Sequence, residues 1–159
     1  MKATLIRTMP VPSDITVESP LRRTVLVVEC KFAKDASPPA AARLRNRLVA
    51  DGYLYVPSEA FFMLALPGHF HLWAPGIAPD ALPSYSTNAL PVLRSYLGRI
   101  AEQDSWPGAE NMELAVSAWL SDLAASIRKP DASDADQMLV EARLFDLMKG
   151  GLVRRGFKA

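Results

Sequence analysis

The sequence predicts an α/β protein with a mixed β-sheet flanked by helices and a helical C-terminal third. Three observations carry this reading. Before about residue 75, β-branched and aromatic runs are broken by short turns. One stretch with helical character, 38–51, separates two pairs of such runs. Beyond about residue 88 the apolar residues recur at helical spacing. The chain has 159 residues, which fits a single domain over 1–159, with a strand-rich core at about 10–75 and a helical part at about 88–150. Half of the residues are hydrophobic and 22% are charged, a balance that supports a packed core and argues against global disorder.

A strand over 2–8 is compatible with the local pattern. Residues 14–19 (DITVES) and 24–32 (TVLVVECKF) read as two strands joined by PLRR, where Pro20 suits a turn and could not sit in a central strand. Residues 38–51 read as a helix with Ser37 as N-cap, prolines at its first positions, and Gly52 placed to end it. A second hairpin is expected over 60–66 and 69–74, turned by Pro67 and Gly68. The Pro-, Ala- and Ser-rich segment 75–87 reads as a surface loop. Helices are then expected at about 89–103, 110–128 and 134–149. The last has Ser133 and Asp136 in capping-box spacing and one apolar stripe of Leu139, Ala142, Leu144, Phe145 and Met148.

Composition narrows the function. No apolar run approaches the roughly 20 residues that span a bilayer. The segment MKATLIRTMPVPSD is interrupted too early by Arg7 and Pro10 to read as a signal peptide. Cys30 is the single cysteine, so an internal disulfide and a multi-cysteine zinc site are both ruled out within one chain. These features give the expectation of a cytoplasmic protein without a membrane partner. Net charge is +1, far from the footprint of a basic nucleic-acid coat. Residues 1–60 nevertheless hold nine Lys and Arg against six acids, which places any polyanion contact in the N-terminal part.

The chemistry-bearing segment is SDITVESPLRRTVLVVECK. Glu29 and Lys31 are two apart on an expected strand, so both project from one face while Cys30 points the other way with Val28 and Leu26. Closing the hairpin around PLRR sets Ser19 against Thr24, Glu18 against Val25, and Asp14 against Glu29. Directly opposed residues in antiparallel strands have Cβ atoms about 5 Å apart. Two carboxylates that close repel unless a proton or cation lies between them, and hard Mg²⁺ or Mn²⁺ suits oxygen ligands. A one-residue slip would put the acids on opposite faces. The plain alternative is a salt-bridge cluster on an exposed strand end.

An Asp, a hairpin, a Glu-x-Lys at the end of its second strand, then a helix and another strand together resemble the PD-(D/E)XK, restriction-endonuclease-like nuclease superfamily, and in particular its small bacterial members. Ser13-Asp14-Ile15, Val25 to Lys31 and Phe61 to Trp73 carry the resemblance, over about residues 10–75. It implies that Asp14, Glu29 and the backbone carbonyl of Cys30 hold Mg²⁺, with Mn²⁺ able to substitute, and that Lys31 orients the attacking water and stabilises charge on the phosphate. Three departures stand out. Ser13 replaces the nominal proline. Arg43 stands where related proteins often carry Gln. No acidic residue occurs among the thirteen before Asp14, so either three residues suffice or another element or a second subunit completes the site.

Other residues carry two readings each. Arg43 and Arg47 share a helix face at i, i+4 spacing and suit phosphate contacts or a solvated face, and Lys34 has the same standing. His69 and His71 share a strand face and read as edge-strand surface residues, since a third metal ligand is not nearby. Trp73, Trp106 and Trp119 read as core or subunit-interface anchors. Glu18 lies four residues from Asp14, about 13 Å along a strand, too far to share its metal. The expected function is therefore a metal-dependent nuclease acting on DNA as a homodimer, with a protein partner as one source of specificity. The alternative is a catalytically degenerate nuclease-fold subunit serving DNA binding or protein assembly.

Overall fold

A computed structural model describes residues 13–98 and 109–156. The chain is α/β. Its strands are β1 (Ile15–Glu18), β2 (Thr24–Cys30), β3 (Phe61–Leu66), β4 (His69–Trp73), β5 (Tyr85–Asn88) and β6 (Leu152–Arg155), and its helices are α1 (Pro38–Ala50), α2 (Leu90–Leu97), α3 (Ala109–Ala124), α4 (Asp134–Glu141) and α5 (Leu144–Met148). The six strands form one mixed sheet in the order β5-β4-β3-β2-β1-β6. Among the described strands only β2 and β3 run parallel, joined by a crossover through α1, as a parallel pair requires.

The β1–β2 hairpin forms because Ser19 to Arg23 close a tight turn. The Arg22 N–H donates to the Ser19 carbonyl and the Ser19 N–H to the Arg23 carbonyl, each at 2.8 Å. Arg22 takes the left-handed conformation, φ 66°. Ile15 pairs with Val28, Thr16 with Val27 and Val17 with Leu26, as the sequence predicts, but the ladder bulges between Val17 and Glu18 so that Glu18 meets Thr24 rather than Val25. The bulge confines the register error to the turn.

Helix α1 starts where expected. The Ser37 hydroxyl accepts the Ala40 N–H, prolines fill N1 and N2, and Gly52 follows the cap in the left-handed region with φ +75°. It covers one face of the sheet, where Ala41, Ala42 and Leu54 pack with Val27, Phe62, Leu64, Leu66 and Trp73. The opposite face is larger and buries Ile15, Val17, Leu26, Val28, Cys30, Met63, Phe70 and Leu72 against α2 to α5, with the Trp119 and Phe70 rings 5.2 Å apart. Trp73 and Trp119 are both fully buried core residues; Trp106 and the expected strand over 2–8 lie outside the described residues, as does the part of the expected 89–103 helix beyond Gly98.

Three elements depart from the sequence expectation. The expected loop 75–87 ends in β5, whose polar YSTN pairs antiparallel with β4; no alternation of hydrophobicity marks it, because Tyr85 is its one apolar residue packed against the main core and its other face is exposed. The expected 134–149 helix is two helices, broken where Arg143 adopts a left-handed conformation with φ 64°. Its stripe survives the break: Leu139, Leu144 and Met148 are buried and Ala142 and Phe145 pack against the same core. Finally, β6 returns to pair with β1, Ile15 opposite Arg155 and Glu18 opposite Leu152. The strand-rich core is therefore not confined to 10–75.

Candidate functional site

The three residues singled out by the sequence come together at one end of the central strands. Continuing the β1–β2 ladder one step past Ile15 and Val28 brings Asp14 opposite Glu29. Two backbone-to-side-chain bonds fix this arrangement reciprocally: the Asp14 N–H donates to Glu29 Oε2 and the Cys30 N–H to Asp14 Oδ2, each at 2.8 Å. Each carboxylate thus reaches across to the other strand's amide, so neither can rotate away without leaving a buried donor unmatched. Both acids are buried, Asp14 to 2% and Glu29 to 4% exposure. That removes the reading of an exposed salt-bridge cluster.

Lys31 shares the Glu29 face, with its Nζ 3.8 Å from Glu29 Oε1 and a half-exposed side chain. Its own backbone N–H donates to the Ala65 carbonyl at 3.0 Å, continuing the β2–β3 pairing and fixing where the side chain starts. Cys30 points into the opposite core, as the two-residue period predicts. The arrangement is two like-charged oxygen donors held in apposition with an ammonium at their margin. Burial of two acids side by side is costly unless cations compensate them. The donor set is oxygen-only, which is the chemistry of Mg²⁺ and Mn²⁺ rather than of softer metals. Among the described residues no group of three or more His, Cys, Asp or Glu gathers to hold a metal.

Glu18 lies away from this pair and is structural: it meets Arg154 at 3.4 Å and Arg22 at 3.7 Å. Arg43 and Arg47 are exposed on α1 and line a cleft of about 520 Å³ with Phe32, Ala33, Asp35 and Asn46, beginning one residue past Lys31 in the chain. Lys34 is exposed in the same connecting loop but lines a different cleft, on the β4–β5 side.

One residue behaves otherwise than expected. His71 is not an edge-strand surface residue, because β5 covers its flank; it is 1% exposed. Its Nε2 lies 2.8 Å from the Ala36 carbonyl and its Nδ1 2.7 Å from Ser86 Oγ. A carbonyl can only accept, so Nε2 carries the proton and Nδ1 accepts from Ser86. Burial pushes the imidazole below its ordinary pKa, against the upward pull of the Ala36 bond. With both nitrogens committed, His71 is a strut for the Lys31–Ser37 loop. Arg45 of α1 is buried as well, donating to the Ala78 and Ile77 carbonyls at 2.7 and 3.2 Å and lying 5.1 Å over the Trp73 ring. Its reach to a segment more than thirty residues away leaves no local signal.

No family model, curated protein or solved structure matches the chain. Among the described residues, no helix is long and apolar enough to cross a membrane.

Proposed function

We propose that the chain is a metal-dependent nuclease with a restriction-endonuclease-like core, hydrolysing phosphodiester bonds in DNA. The observation that carries this is the reciprocal locking of Asp14 and Glu29 on adjacent strands with the Lys31 ammonium beside them. The hairpin is followed in the chain by a helix and a further strand, which supports the reading. Asp14, Glu29 and the Cys30 carbonyl would hold Mg²⁺ or Mn²⁺, which when bound lowers the pKa of water and neutralises phosphate oxygens. The protein's own residues do the rest. Asp14 and Glu29 supply fixed negative charge that selects a cation, and Lys31 presents an ammonium where charge develops on the phosphate. Arg43 and Arg47 bind neighbouring phosphates without reading sequence. Cutting both strands of a duplex takes two such sites, which a homodimer supplies most simply, while a partner protein is a source of specificity.

The test is cleavage of linear, nicked and branched DNA, and of RNA, in Mg²⁺, Mn²⁺ or EDTA. Cleavage should require the divalent ion and vanish in Lys31→Ala and Glu29→Gln. Among the described residues two acidic side chains gather at the site and no third, which favours a second reading, a degenerate nuclease-fold subunit that binds DNA or a protein partner. Salt-dependent DNA binding with no cleavage under any condition, and no Mn²⁺ uptake sensitive to Asp14→Ala, would select that reading instead.

A further inference from the structure

On the same sheet face as the candidate site, two strands away, lies a second polar region. The paired rows run Glu29–Leu64–His71–Ser86 across β2, β3, β4 and β5, with Leu66–His69–Asn88 in the row above, level with Lys31. At about 4.8 Å between strands, His69 stands about 10 Å from Lys31 across the sheet. Here a cleft of about 540 Å³ is lined by Lys34, Ser37, His69, His71, Ser86 and Asn88, among others, and none of its lining residues is acidic.

The hydrogen-bond inventory fixes which groups can donate into it. Ser37 Oγ accepts the Ala40 N–H, so its own proton points elsewhere. Asn88 Oδ1 accepts the Leu90 N–H at 3.0 Å, which orients the amide so that its NH₂ group is the outward end. His69 is exposed, its ring stacked parallel to that of His71 at 6.1 Å. Both nitrogens of His71 are committed, to the Ala36 carbonyl and to Ser86 Oγ, so His71 offers no free donor to a ligand and the imidazole available to the cleft is that of His69. Lys34 supplies an exposed ammonium at the rim. The nearest carboxylate along the chain, Asp35, lines the other cleft and accepts the Ser37 N–H at 2.9 Å. Helix α1 contributes the positive end of its dipole and no acid in its first turn. Prolines at its first two positions remove amide donors, so recognition falls to side chains.

We infer that this cleft is a binding site for a phosphate group, held by Lys34, His69, Asn88 and Ser37. A hydroxyl, an amide NH₂, an imidazole N–H and an ammonium around a site without carboxylates match the oxygens of a phosphate ester better than an apolar or cationic ligand. The site stands independently of the nuclease reading, since it uses none of Asp14, Glu29 or Lys31.

The chain has two histidines, so the ring-proton resonances of His69 report occupancy directly in the full protein. Three probes are titrated at constant ionic strength against a chloride control: inorganic phosphate, a dinucleotide with one internal phosphodiester, and the same dinucleotide carrying a 5′-phosphate. A saturable His69 shift that Lys34→Ala and Asn88→Ala each weaken at least tenfold is the expected result. Saturation by inorganic phosphate and the 5′-phosphorylated dinucleotide identifies a terminal or free phosphate as the ligand, and saturation by all dinucleotides but not inorganic phosphate identifies a nucleic-acid backbone. No shift beyond chloride, or a shift that both variants leave unchanged, overturns the assignment. A His69→Gln protein that still binds the winning probe with undiminished affinity in calorimetry overturns it equally.

Discussion

Replacing Asp136 by Asn tests how the helical layer is held together. Asp136 is fully buried. Its Oδ1 accepts from Trp119 Nε1 at 2.8 Å and Arg128 Nη2 at 3.1 Å, and its Oδ2 from Arg128 Nη1 at 2.6 Å and the Asp131 N–H at 2.9 Å. Asn offers one oxygen and one NH₂, so whichever way the amide turns, two of the four donors face another donor. Breaking a buried charged pair costs about 3–5 kcal/mol. The Arg128 side chain is 31% accessible and can turn to water, while the Trp119 indole is 0% exposed and cannot, which sets the expected loss near the lower end, about 3 kcal/mol. For a chain of this size 1 kcal/mol corresponds to about 2–4 °C, so the midpoint should fall by about 6–12 °C. Urea unfolding measures the loss, and a cycle with Arg128→Gln measures the coupling. The acid limb gives a second readout. Burial alone would raise the Asp136 pKa, but Arg128, the Asp131 N–H and the Trp119 indole outweigh it and hold the carboxyl below 3.8. A pKa lower in the folded state means that the stabilisation is complete above the unfolded value and is lost as pH falls through the folded one. Asp136→Asn should flatten stability against pH below about pH 4. A loss under about 1 kcal/mol, or an unchanged acid limb, would refute the argument.

Two further outcomes follow from the fold. A Cβ at Gly151 would overlap the Glu18 carbonyl oxygen and stand 2.9 Å from that of Met148, so Gly151→Ala should loosen β6 from β1 and cost about 2–3 kcal/mol; thermal unfolding within a few tenths of wild type would contradict this. The His71 imidazole has its pKa pushed below 6.5 mainly by burial, so the unfolded chain takes up its proton first. Stability should drop as pH falls from about 6.5 through the folded value, and His71→Gln should flatten that segment of a urea-midpoint series.

The residues that were legible in sequence are those whose partners lie nearby. PLRR sets the hairpin, so the Asp14–Glu29 apposition follows from counting back from the turn; the bulge at Glu18 displaces only the pairs beside the turn. Ser37, Pro38 and Gly52 bound α1 by local capping chemistry. What escaped depends on distant neighbours. β5 and β6 are short, polar or charged, and become strands only because β4 and β1 offer unpaired edges. Missing β5 is what made His71 look like a surface residue. Arg143 has no glycine to mark its left-handed backbone, and the reach of Arg45 to residues 77 and 78 is set by the fold alone.

The strand leading from Asp14 has unequal neighbours in time. β2 follows β1 directly in the chain, whereas β6 emerges from the ribosome only after every other strand and helix described here. Until then β1 presents an open rim of amide and carbonyl groups beside the aspartate–glutamate pair. A nascent chain stalled before Leu152 would expose that rim to another strand, so the outer flank of the acidic pair stays open until β6 itself has been made.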